Sequence, residues 1–259
     1  MGAFVEPTAP AGSKTRPGIL VGAGRLLFRH RNLLFPLVLV ALLAGVRPAP
    51  PAEGAVDWLD VFGLAVALVG QSLRVAVIGY AYIKRGGKNR QVYAAKLVTG
   101  GFFAHCRNPL YLGNLIVLLG LFMIHGHPWV YALGGAFFLF GYSAIVAAEE
   151  DYLREKFGES YVMYCRRVSR WLPDFRGLKR SLEGMQFDWR RVVVKEYGSA
   201  YAWTVGAVLL LVYERSAALT AATFAIAASA LGLLTAGWIA ARYYKKRVLE
   251  PSRPALTHE

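Results

Sequence analysis

Residues 110–148, LYLGNLIVLLGLFMIHGHPWVYALGGAFFLFGYSAIVAA, contain no Asp, Glu, Lys or Arg. Two apolar runs, 110–124 and 129–148, flank the turn His125-Gly126-His127-Pro128. About 20 helical residues cross the roughly 30 Å hydrocarbon core of a bilayer. Each run is therefore a candidate membrane helix, and so short a turn makes the two an antiparallel pair. Four further stretches qualify on either side: 32–46, bounded by arginines; 58–83, interrupted by Gln71 and Arg74; 197–213; and 217–241. The fold class expected is an all-α integral membrane protein of about six transmembrane helices. Composition agrees, because 56% of the 259 residues are hydrophobic and 18% are charged, against about 25% charged in a soluble domain. Mean hydropathy is +0.38.

The formal net charge of +14 would point a soluble protein toward nucleic acid. Its distribution gives a different account. Lys and Arg number 5 before the first span, 1 in the next loop, then 6, 0, 11 and 1, with 5 after the last span. Rich and poor loops alternate, which places both termini and the even-numbered loops in the cytoplasm. The charge is then topological, and membrane lipid, not nucleic acid, is the expected partner. Cys106 and Cys165 make no disulfide framework. The first 18 residues, rich in Pro, Gly and Ala, read as a disordered tail, and no cleavable signal segment is expected.

The expected organisation is a tail (1–31), a first span and outer loop (32–57), a core (58–173), a linker (174–196), a hairpin of two spans (197–241) and a basic tail (242–259). Between the fourth and fifth spans, Leu153, Phe157, Tyr161, Tyr164, Val168 and Trp171 recur at helical spacing. They predict one amphipathic helix ending near Pro173, either in the membrane interface or over a cavity.

Polar groups at membrane depth are costly, so they mark the places to look for chemistry. Three clusters lie at the basic ends of spans: 70–74 (GQSLR), 97–114 (LVTGGFFAHCRNPLYLGN) and Glu149-Glu150-Asp151. Each has a plain structural reading. Arg74 snorkels or pairs with a carboxylate. Arg107-Asn108-Pro109 forms a loop and helix start. The acids complement a helix dipole, with Glu150 and Arg154 an i,i+4 pair. His125 and His127 alone do not make a zinc site, and no metal is expected.

Their order along the chain carries more. Leu97-Val98-Thr99 with Gly101-Phe102, then Arg107-Asn108-Pro109 with Tyr111 and Gly113, are followed after a two-span hairpin by Glu149-Glu150, Leu153, Phe157-Gly158, Tyr161, Tyr164 and Pro173. This series resembles the membrane methyltransferases that include isoprenylcysteine carboxyl methyltransferase and phosphatidylethanolamine N-methyltransferase, over about residues 58–173. The resemblance implies S-adenosylmethionine as cofactor, held by Lys96, Leu97, Val98, Phe103, Asn108, Pro109 and Tyr111, with Glu149 and Glu150 closing the pocket. It assigns the reacting end to Arg107, Asn108 and Glu150. Residues around Gly70 match more loosely a cofactor-contacting turn. Asn108 stands where the family usually has His, so proton transfer there is lost, and His105 is the only imidazole close enough in sequence to substitute.

The implied function is methyl transfer to a lipid-like or small hydrophobic acceptor at the cytoplasmic face of the membrane, by O-, N- or S-methylation. Two other classes fit the layout: an NADPH-dependent membrane reductase of steroid-reductase-like arrangement, and a non-catalytic membrane partner with a degenerate pocket. The sixth span, rich in Ala, Gly, Ser and Thr, permits close packing, most simply against the fifth.

Overall fold

A computed structural model describes residues 18–49, 58–80, 85–88, 91–94, 96–216 and 219–249. All but the last residue of the expected disordered tail, and residues 250–259, lie outside these. Six long helices form the bundle: α1 (Ile19–Gly45), α2 (Trp58–Tyr80), α3 (Pro109–His125), α4 (Gly135–Phe157, entered through a π-helical turn at Val130–Gly134), α7 (Trp189–Glu214) and α8 (Ala221–Tyr244). Two short helices, α5 (Glu159–Arg167) and α6 (Leu178–Leu182), join α4 to α7. Among the described residues, four helices are long and apolar enough to cross a membrane: α1, α2, Val130–Phe157 and α8 with its continuation. On length and composition the expected count of six is therefore not confirmed among the described residues. α3 is apolar but has only 17 residues, and α7 carries Arg190, Arg191, Lys195 and Glu196 in its first half.

Helix ends depart from the apolar runs where polar side chains find partners. α1 starts well before residue 32, because Arg25 reaches Asp151 at 2.9 Å and Arg31 reaches the Tyr111 hydroxyl at 2.9 Å. α7 starts before residue 197, where Asp188 caps it by accepting from the Arg191 N–H. The linker expected at 174–196 therefore holds α6 and the first turns of α7.

α2 and α3 pack backbone to backbone. A Cβ at Gly120 would lie 2.4 Å from the Gly63 carbonyl oxygen, and one at Gly70 would lie 2.7 Å from that of Gly113. Glycine permits this approach, which is how membrane helices gain dispersion contact without a hydrophobic drive. Gly70 accordingly belongs to a helix interface.

After α2, two strands that were not anticipated, β1 (Arg85–Lys88) and β2 (Gln91–Ala94), pair antiparallel, with Lys88 opposite Gln91. The amphipathic face expected through Trp171 is present in part, on the end of α4 and on α5; α5 ends at Arg167, short of Pro173, so Val168 and Trp171 lie past the helix and Trp171 packs on a different cluster. Gly158 at φ +52 breaks the run, a conformation glycine adopts at little cost. Leu153, Tyr161, Tyr164 and Val168 are nonetheless buried together against Ala94. This face covers the loop after β2, so its partner is protein.

The loops 96–108 and 158–188 gather at one end of the bundle. At the other, His125 Nε2 bonds the Val46 carbonyl at 2.9 Å, and Arg215 pairs with Asp60. α8 packs on α7, where Trp238 lies against Tyr197 and Tyr201.

Candidate active site

A cavity of about 1110 Å³ lies between α1, α2, α3, α4 and α7, reaching from the loop-rich end into the bundle. Phe103, Arg107, Asn108, Pro109, Tyr111 and Glu149 line its loop-rich part. Local sequence explains how they get there. Gly101 takes φ +60 and opens a 3-10 turn, Gly101–Ala104. Phe103 is fixed in that turn by the Tyr164 hydroxyl, which donates to its carbonyl at 2.7 Å. Pro109 then starts α3, where a missing N–H costs nothing. Gly113, one turn on, leaves room for Arg74, whose Cγ would sit 2.6 Å from a Cβ there.

The polar groups are held in three sets. The Tyr111 hydroxyl donates to Glu149 Oε1 at 2.7 Å while accepting from Arg31. Glu150, buried just outside the cavity, takes Arg107 at 3.0 Å and Arg170 at 2.5 Å; it pairs with these instead of Arg154. Burial pulls the Arg107 guanidinium pKa down, but the charge of Glu150 and the hydrogen bond to Cys165 outweigh it and hold that pKa above the usual arginine value. Asn108 donates from its amide to the Arg170 carbonyl at 3.2 Å.

Of the third set, Gln71, Arg74 and Asn114 fall in the expected polar clusters, whereas Glu196 and Trp203 were not anticipated. Arg74 Nε and Nη2 grip Glu196 of α7 at 2.8 and 2.6 Å, and Nη1 donates to Asn114. Gln71 donates to the same carboxylate at 3.1 Å and accepts from the Trp203 indole at 2.9 Å. The signal for Glu196 was available as the only acid among residues 189–213, but nothing local pairs it with Arg74 across more than a hundred residues.

Besides Glu150, four of the expected site residues stand apart from the cavity. Lys96 is exposed. Leu97 packs with Tyr161 and Val168, and Val98 with Phe102 and Phe103. His105 is buried with its Nδ1 on the Asp174 carbonyl and its Nε2 2.9 Å from Ser181 Oγ. Both ring nitrogens tie the 3-10 turn to the α6 region, and the ring does not face the cavity where an imidazole was wanted.

Fold and cavity define an integral membrane protein with an amphipathic site at one end of a helical bundle. Residues 59–160 match the family model described as phospholipid methyltransferase. A cobalt-zinc-cadmium resistance protein of Cupriavidus metallidurans is 28% identical over 170 residues, covering 65% of this chain and 73% of the relative. Protein-S-isoprenylcysteine O-methyltransferase of Mus musculus is 32% identical over 140 residues, 51% of this chain and 47% of the relative. The B form from Arabidopsis thaliana is 32% identical over 120 residues, 45% and 60%. The match thus spans about half the length of these methyltransferases. No solved structure matches. Over residues 59–160 the chain is thus similar to membrane methyltransferases.

Proposed function

We propose that the protein transfers a methyl group from S-adenosylmethionine to an amphiphilic or small apolar acceptor. The reaction faces the cytoplasm, since the basic loops gather at the cavity's polar end. The observation that carries this reading is the convergence of Phe103, Arg107, Asn108, Pro109, Tyr111 and Glu149, from two separate motifs, on one end of one cavity.

The side chains suit the cofactor. Arg107 and Arg31 offer cations to an amino-acid carboxylate, and Glu149 offers an acceptor to an ammonium or to ribose hydroxyls. Phe103 and Tyr111 present aromatic surface to a sulfonium. The cavity exceeds the roughly 300–1,000 Å³ of ordinary small-molecule sites, which leaves room for an acceptor beside the cofactor. When bound, the cofactor supplies a methyl group on an already activated leaving group.

The protein's own work is placement and exclusion of water. Glu150 acts as a positioning residue, fixing Arg107 from behind. Tyr111 orients the Glu149 carboxylate. Asn108 holds the Arg170 segment over the start of α3, and being unable to take a proton it leaves the site suited to acceptors that arrive with a free lone pair, such as a carboxylate. The sequence assignment of His105 to the reacting end is replaced by a role in anchoring α6.

The test is calorimetric titration of the purified protein with S-adenosylmethionine and its demethylated product, with NADPH as control. Saturable binding of the first two, lost in Arg107→Ala, is expected. Binding of NADPH alone would transfer the protein to the reductase class, and binding of none by folded protein would refute a cofactor site.

A further inference from the structure

The cavity is longer than a cofactor pocket requires, and its deeper part has another character. Beyond the Arg74–Glu196 pair it is walled by apolar residues: Phe35 to Leu43 on α1, Val117 to Leu121 on α3, and Ala202 to Gly206 on α7. α1 packs on α4, and α7 on α2 and α3, which leaves a slot between α1 and α7 along the cavity. The slot has an end just past Leu43, where the Tyr213 hydroxyl meets the Ala44 carbonyl at 3.4 Å.

Glycine in the α7 wall needs explaining. Gly198 and Gly206 line the cavity, yet a Cβ at either would meet no heavy atom within 4 Å. No packing contact demands them, and glycine weakens a helix interior relative to alanine. With Ala202 between them they keep one wall thin along the whole slot. That is accounted for by something lying against it.

We propose that this apolar shaft is a ruler for the acceptor's tail, admitting a single hydrocarbon chain of limited length. At about 1.5 Å per helical residue, Phe35 to Leu43 spans about 12 Å. That is shorter than the roughly 15 Å of one bilayer leaflet, so the chain accommodated has about ten carbons, fewer than ordinary membrane acyl chains. With one slot, between α1 and α7, the ruler takes one tail. Both α1 and α7 lie outside residues 59–160, the part matched by the family model. The proposal rests on the methyltransferase reading only for what occupies the polar end.

The experiment uses full-length protein in nanodiscs with saturated carboxylic acids of about eight to sixteen carbons as probes, their binding referred to mole fraction in the bilayer. Lipid is as apolar as the shaft, so added methylenes bring no gain and only the fit is read. Binding should hold to about ten carbons and fall at least tenfold by about sixteen, where the chain outruns the shaft. Gly206→Leu, which fills the shaft, should move the cutoff to shorter chains. Tyr213→Ala, which opens its end, should move it to longer ones. S-adenosylmethionine affinity should be unchanged in both. A profile without a cutoff, or a cutoff that neither variant moves, overturns the ruler. A cutoff that responds to both variants in a protein that binds no S-adenosylmethionine supports the ruler and overturns the methyltransferase reading.

Discussion

Replacing Glu196 with Ala isolates the energetic centre of the bundle. The pair it forms with Arg74 is bidentate, at 2.8 and 2.6 Å, and the two side chains are 12% and 4% exposed. Removing one member of a buried pair typically costs about 3–5 kcal/mol, because the other charge stays behind without its counter-ion. Arg74 keeps Asn114 and the Leu110 carbonyl, and the neighbouring cavity admits water, so the lower part of that range, about 3 kcal/mol, applies. At roughly 2–4 °C per kcal/mol for a chain of this size, Tm should fall by about 6–12 °C. Arg74→Met combined with Glu196→Leu removes both charges and should recover most of the loss. Thermal unfolding of the detergent-solubilised protein, followed by tryptophan fluorescence, compares the parent, the single variant and the double variant. The reasoning fails if the double variant is as unstable as Glu196→Ala, or if the single variant does not shift Tm.

Tyr111→Phe keeps the ring and removes the hydroxyl that joins Arg31 to Glu149; S-adenosylmethionine affinity should drop by about tenfold, equivalent to about 1.4 kcal/mol, with Tm nearly unchanged, and equal affinity in calorimetry would count against Glu149 as a cofactor ligand. Glu150→Gln should weaken cofactor binding through Arg107, and Arg170→Ala should do so less, because Glu150 then still holds Arg107; the reverse order in the same titration contradicts the positioning role. Gly120→Val drives a side chain into the Gly63 backbone, whose oxygen lies 2.4 Å from the first added carbon, and should destabilise by about 1–3 kcal/mol or more, read as a lower Tm. Burial pushes the Cys106 thiol pKa up, so thiol labelling near neutral pH should modify Cys165 in the folded protein and both cysteines only after unfolding; prompt labelling of Cys106 in Cys165→Ala would show that the 3-10 turn is open.

The hydrophobic helices were legible because lipid imposes one rule, a long apolar run, that composition displays directly. Their ends were less so. Residues 19–31 look like a basic tail, but Arg25 and Arg31 are satisfied by Asp151 and Tyr111, partners that lie 126 and 80 residues away. The strand pair at 85–94 went unseen because Arg-Gly-Gly-Lys carries no alternating pattern. Gly158 was visible as part of a motif, yet periodicity ran through it, since a single residue at positive φ need not change which side chains end up on a shared face. Phe103, Arg107, Asn108, Pro109, Tyr111 and Glu149 were legible as a set only through the order of two motifs; no one of them departs from what a helix start or a helix end ordinarily carries.

Glu196 shows the physical limit of that reading and what it conceals. A lone acid near the start of a helix needs no explanation in sequence, because it suits the dipole there. In the structure it neutralises an arginine of the family segment from a helix outside that segment. The consequence is that α7 does more than flank the core. Without Glu196, Arg74 would remain as a charge near membrane depth, and without Ala202 and Gly206 the cavity would lose one wall to lipid. The same helix therefore stabilises the charge that divides the cavity and shapes the apolar part beyond it. Changes in α7 should for that reason alter acceptor choice and stability together, whereas changes in Phe103 or Tyr111, which face the polar end, should act on cofactor affinity first.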